Sequence, residues 1–164
     1  MAVDMFLKIE GIDGESSDDK HKGWIEVHSF SWGVQHPVSG TASSTGNLSG
    51  GRADFSELSI VKQLDKASPK LMQACASGEH LKTVTLSLNR ASGDKEQFME
   101  YKLTDVLVSS YAGSGAGGGS EIPMETIHFH YGKVETKYVQ TKVEGGKGAG
   151  SVAAGWDLKA NKKI

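Results

Sequence analysis

Alternation of apolar and polar residues with a period of two runs through most of this chain, and it restricts the fold more than any other feature. At the start, Met5, Leu7 and Ile9 fall on one face and Phe6, Lys8 and Glu10 on the other, as in a strand with one face buried. Between residues 24 and 34, Trp24, Glu26, His28, Phe30, Trp32 and Val34 share one face, and Ile25, Val27, Ser29, Ser31 and Gly33 the other. A bulge in that run is expected to let its two halves bury opposite faces. Strand character returns over 55–64, over 83–90 with Val84, Leu86 and Leu88 inward, and over 97–109. There Met99, Tyr101 and Leu103 keep one parity before Val106 and Val108 take over, which marks a register slip. A long strand or bent pair over 122–138 and a final strand carrying Val152, Ala154, Trp156 and Leu158 complete the set.

One segment departs from this rule. Over 65–78, Ser68 suits a helix N-cap, Pro69 the first helical position and Gly78 the residue just past the C-terminus, with Leu71, Met72 and Cys75 forming a narrow apolar stripe. No internal repeat or linker divides the chain, and 164 residues suit one domain. The predicted fold is mostly β: an antiparallel β-barrel or sandwich with one short α-helix, in a single domain over 1–164. The 21 glycines cluster in patches and not at a regular period. Two patches read as loops: residues 37–51, long, almost free of apolar residues and projecting, and residues 112–120. Loops as long as the first are usually functional or disordered.

Charge and composition narrow the partners. With 18 basic and 20 acidic residues the net charge is -2, which provides no footprint for nucleic acid. The longest purely aliphatic run, Val106, Leu107 and Val108, is far short of the ~20 residues of a membrane-spanning helix. Charged residues interrupt the first ten positions, where a signal peptide would need an apolar stretch, and the single cysteine, Cys75, has no internal partner. These features predict folding in a reducing cytoplasm.

No catalytic constellation stands out. Gly113, Gly115 and Gly118 match G-x-G-x-x-G, but a turn into a strand follows where a phosphate-holding helix N-terminus should be, so the reading is a hairpin loop. His128 and His130, two apart on a strand, project from one face as metal ligands would, but no third ligand is evident in sequence. The other histidines, His21, His28, His36 and His80, read as polar surface. Cys75 reads as a buried structural thiol beside Leu71 and Met72, and Glu15, Asp18 and Asp19 as a solvated charged turn. No cofactor, metal or catalytic residue is assigned. Several strands lack charged or proline guards on their edges, which suits a subunit of an assembly.

The opening residues 1–9, Ser31-Trp32-Gly33 and above all the helix segment 65–80 resemble the Hcp (hemolysin-coregulated protein) family of type VI secretion. Residues 106–110 followed by a glycine-rich loop, and Gly155-Trp156-Asp157, continue the resemblance in the same order along essentially the whole chain. The resemblance implies a β-barrel with one helix, a hexameric ring, and rings stacked into a hollow inner tube driven by a contractile sheath. It implies as partners the spike protein VgrG, the sheath proteins and small effectors carried in the ring. It also implies cytoplasmic synthesis followed by secretion without a cleaved signal peptide. The loop at 37–51 corresponds to the extended loop by which family members contact the next ring, making Val38, Gly40, Ser44, Gly46 and Leu48 the candidate stacking residues. Some relatives continue into a toxic C-terminal domain, whereas here the sequence ends a few residues past the last strand. Neither the charged stretch 13–22 nor the tail 144–150 receives a role.

Two rival readings remain. A tail-tube-like structural subunit of another contractile injection particle shares the physics of stacked β rings. A secreted hydrolase or carbohydrate-binding module would need converging carboxylates or an exposed aromatic platform, and Trp24, Trp32 and Trp156 sit in strand patterns suited to a core.

Overall fold

The structure is a computed structural model that describes residues 2–39, 49–91, 93–140 and 150–164. Its strands are β1 (Val3–Ile9), β2 (Ile25–Val27), β3 (Ser29–Ser31), β4 (Val34–Gln35), β5 (Val38–Ser39), β6 (Ser49–Gly50), β7 (Asp54–Phe55) and β8 (Leu58–Gln63). After helix α1 (Ser68–Ser77) come β9 (Leu81–Arg90), β10 (Gln97–Ser114), β11 (Met124–Val139), β12 (Ser151–Asp157) and β13 (Lys162–Lys163).

Every strand pairing is antiparallel, and the ladder closes on itself. β1 pairs with β9, β9 with β10, β10 with β11, β11 with β8 and β8 with β3. β2 returns to β1, separated from β3 only by His28, whose N–H donates to the Val61 carbonyl at 2.7 Å. A closed barrel has no free edge in its wall, and its inward positions fill one core. Ile60 faces Ile127, Leu58 faces Phe129, and Leu7 sits between Ile25 and Leu86; all seven are fully buried.

The expected change of faces between residues 24 and 34 is present: Ile25 and Val27 are buried, and then Phe30 and Trp32 pack against the core from the other parity. The slip expected in β10 is present too. Buried residues are spaced by three from Leu103 to Val106, from Leu81 to Val84 and from Tyr131 to Val134, so three neighbouring strands change parity together. The change centres on Asp105, whose φ of 56° takes the left-handed conformation that aspartate tolerates.

Two expectations need correction. Ala67, not Ser68, is the N-cap of α1; Ser68 is the first helical residue, and its hydroxyl turns inward to Glu125. The buried stripe of the helix is Leu71 and Ala74, while Met72 is half exposed because a position one residue from Leu71 lies about 100° round the helix. Gly78 ends the helix as expected, at φ 67° with its N–H on the Ala74 carbonyl.

The stretch 13–22 gains a structural role. It folds over the outer face of β1 and β9, where Phe6 stacks on His21 with ring centroids 4.5 Å apart and Ser87 and Asn89 are also buried. His21 is therefore covered and not surface. Gly14 makes this fold-back possible, since a Cβ there would lie 2.4 Å from the Trp24 carbonyl oxygen.

Candidate functional site

Outside the barrel wall, the chain between β3 and β8 forms a two-stranded arm. Val34 pairs with Phe55 and Gln35 with Asp54 at its base; farther out Val38 pairs with Gly50 and Ser39 with Ser49. Val34 is 50% exposed and Val38 61% exposed. Of the candidate stacking residues, Val38 thus lies uncovered on the arm, while Gly40, Ser44, Gly46 and Leu48 fall outside the described residues. The base of the arm is tied to the barrel: the Ser56 N–H donates to the Gly33 carbonyl, and the Arg52 guanidinium donates to the Leu158 carbonyl.

Beneath the arm, aromatic rings bridge it to the sheet. Phe30 and Trp32 lie against Tyr101, and Trp32 and Trp156 lie on either side of Phe55. The Trp32 indole N–H donates to the Tyr131 hydroxyl at 2.6 Å, which donates in turn to the Ser56 carbonyl at 2.7 Å. Burial holds the Tyr131 hydroxyl up at about 12, so it stays a donor. Trp32 and Trp156 are thus packing groups. Trp24 differs from the expected interior placement: it sits on the outer face, edge-on to His21 and under the Lys8 ammonium.

A buried charge cluster lies where β8 meets β11. Lys62 and Glu125 are cross-strand partners, both fully buried, and the Lys62 ammonium lies 2.8 Å from Glu125 Oε2 and 2.8 Å from Asp65 Oδ1. Ser68 donates to Glu125 at 2.8 Å, and the Tyr111 hydroxyl donates to the other carboxylate oxygen. Burial alone would raise the Glu125 carboxyl, but the Lys62 ammonium and the Tyr111 and Ser68 hydroxyls outweigh it and hold it below its usual range. Burial and the Glu125 carboxylate push Tyr111 up to about 12. The cluster joins β8, α1, β10 and β11, and its polar atoms are taken up by one another. Sequence reasoning missed it, although Lys62 continues the inward parity of Leu58 and Ile60, and Glu125 that of Ile127 and Phe129.

Other polar groups gather nearer the surface. Asp18, read from sequence as part of a solvated turn, is nearly buried and accepts from Lys95 and His21, each at 2.8 Å. Those two partners hold its carboxyl at about 2. Asp105 takes His80 at 2.9 Å and Lys159, and both hold its carboxyl below the usual range. His128 and His130 do project from one face, with Glu57 3.5 and 3.9 Å from their Nδ1 atoms and Ser109 donating to that carboxylate at 2.8 Å. Among the described residues no group of three or more His, Cys, Asp and Glu side chains is arranged to hold a metal ion. The glycines at 113–118 join β10 to β11 as a hairpin turn. Cys75 is half-buried on α1.

A second uncovered region lies on the sheet beyond the barrel. β12 pairs with the C-terminal half of β11, and there Tyr138 and its partner Val152 stand 48% and 74% exposed.

A family model described as "Type VI secretion system effector, Hcp" matches residues 6–138. "Protein hcp1" of Pseudomonas aeruginosa is 36% identical over 162 residues, covering 98% of each chain. A solved structure described as "Structure of a type six secretion system protein" is 44% identical, with a TM-score of 0.93 over 99% of this chain and 100% of the other. Hcp1 from Salmonella typhimurium is 38% identical, with a TM-score of 0.80 over the full length of both. This chain belongs to the Hcp family of type VI secretion systems.

Proposed function

We propose that this member of the Hcp family works as the tube subunit and effector carrier of its secretion system, acting by assembly and binding and not by catalysis. Six copies close into a ring, rings stack into a hollow tube, and the tube is expelled with the protein that forms it. Its partners are the spike protein VgrG at the tip, the sheath proteins around the tube, and small effectors in the lumen. The protein is made in the cytoplasm and leaves through its own machine without a cleaved signal peptide.

One observation carries this reading. The arm of β4, β5, β6 and β7 stands on a barrel whose wall closes without it. Its exposed valines contribute little to the fold of the chain that bears them, whereas an assembly covers such residues. Residues Val38, Gly40, Ser44, Gly46 and Leu48 are assigned to the contact between rings. Replacing residues 40–48 with a short glycine-serine turn is expected to leave single rings intact, to abolish stacked tubes in electron micrographs and to stop secretion. Normal tubes from that variant would refute the assignment.

A further inference from the structure

His128 and His130 lie on β11 at the parity opposite to the buried Ile127 and Phe129, so both imidazoles stand on the outside of the barrel wall. Glu57 comes to them from the neighbouring segment. Phe129 pairs with Leu58 and His128 with Ser59, which brings the residue before Leu58 alongside His130. One carboxylate oxygen of Glu57 lies 3.5 Å from the His128 Nδ1, and the other lies 3.9 Å from the His130 Nδ1. Nitrogen and oxygen ligands of a tetrahedral zinc ion, each about 2.0–2.1 Å from the metal, stand about 3.4 Å apart, so these separations are close to those a shared cation sets. As they stand the three side chains do not enclose a metal position, but both imidazoles are well exposed and have room to turn.

The strand on the other side adds an orienting group. Val108 lies opposite Phe129 and Ser110 opposite His128, which leaves Ser109 as an extra residue of β10 with no cross-strand partner of its own. A bulge of this kind re-aims a side chain out of the regular ladder. Here the Ser109 hydroxyl donates to the Glu57 carboxylate at 2.8 Å and lies 3.3 Å from the His128 carbonyl oxygen. Carboxylates that bind metals are held by such outer hydrogen bonds. The fold gains little from the arrangement itself, because ion pairs this exposed add little to stability.

We infer that His128, His130 and Glu57 form a site for one divalent transition-metal ion on the outside of the barrel, with Ser109 orienting the carboxylate. Two imidazoles with one carboxylate suit zinc, copper or nickel, whereas calcium and magnesium take oxygen ligands. Rotation of the two exposed rings about their side-chain torsions closes the set, and the fourth position is left to water. Glu57 stands between β7, which ends at Phe55, and β8, which begins at Leu58. A cation shared by Glu57 and β11 therefore pins the root of the arm to the barrel wall.

The test uses the full chain, free of any histidine tag and stripped with a chelator, titrated with zinc chloride by calorimetry. One zinc ion per chain is expected to bind saturably and to raise the thermal unfolding midpoint as its concentration rises. His128→Gln and His130→Gln each remove one ligand at an exposed position. Both are expected to keep the native circular dichroism and to bind zinc more weakly by about tenfold or more. Ser109→Ala, which leaves all three ligands in place, is expected to weaken binding by about tenfold. His80→Gln, which removes the imidazole beside Asp105, is expected to leave the affinity unchanged. No saturable binding by the wild-type chain, or undiminished affinity in His128→Gln and His130→Gln, would overturn the inference. Loss of binding in His80→Gln alone would place the ion at Asp105 and overturn it equally.

Discussion

Strand β11 contributes to two environments that treat its side chains oppositely. From Met124 to Phe129 it runs between β8 and β10, and its inward residues Ile127 and Phe129 are fully buried. From Lys137 to Val139 it runs beside β12, and there Tyr138, which shares the parity of the buried Val134, stands half in solvent beside a mostly uncovered Val152. Both halves have complete ladders on either side. What differs is the layer over them: the barrel supplies one for the first half, whereas Tyr138 and Val152 in the second stay exposed. Residues of the first region should therefore govern folding, and residues of the second should govern association with little effect on the monomer. Each unfolding measurement below is made at a protein concentration low enough that association does not contribute, so that the two effects are read apart.

The largest expected effect lies at Lys62. Lys62→Ala strips the cation from two carboxylates, one of them fully buried, and truncating one partner of such a pair costs about 3–5 kcal/mol. Urea unfolding should show a loss of that size; a loss under about 1 kcal/mol would mean that water reaches Glu125. Next comes Phe129→Ala inside the barrel, with an expected loss of about 3–5 kcal/mol set by how far the cavity collapses. The corresponding truncation of the other region, Tyr138→Ala, should change the unfolding midpoint very little while weakening ring formation in the otherwise wild-type chain.

Asp18 provides a finer test. Its carboxyl is held at about 2, below the ordinary 3.8, so the folded state favours the charged form. That contribution is intact above the ordinary value and is lost as the pH falls through 3.8 toward 2. Asp18→Asn should lower stability at neutral pH and flatten the acid limb in that window, as followed by tryptophan fluorescence. The smallest effect is expected at the exposed Lys159, where Lys159→Ala should barely move the urea midpoint, because solvent screens its pairing with Asp105.

Much of the barrel was legible because alternation is a local signal. Leu7, Leu86 and Ile127 announce their inward faces, and the parity change between Leu103 and Val106 is visible in the residues themselves. The buried cluster was legible in principle, since Lys62 and Glu125 stand at inward parity, but a charge at such a position reads as a strand end until its partner is known. That partner is 63 residues away in sequence, as Glu125 stands to Lys62. The burial of His21 and Asp18 could not be read at all, because what covers them is the outer face of β1 and β9 together with Lys95. That residues 37–51 leave the barrel was legible, because a long run without apolar residues cannot build a core of its own, and Val38 lies exposed there. Ser68 was taken for a cap from residue type alone; its hydroxyl instead serves a carboxylate from a distant strand.

The central claim is that this chain completes its surfaces in a ring of its own copies. The most direct measurement is the solution mass of the purified chain by light scattering, with negative-stain images of the same sample. The account predicts a particle of six 17.5 kDa chains with an open centre. A stable monomer at high concentration, with Val152 and Ile122 still exposed, would contradict it.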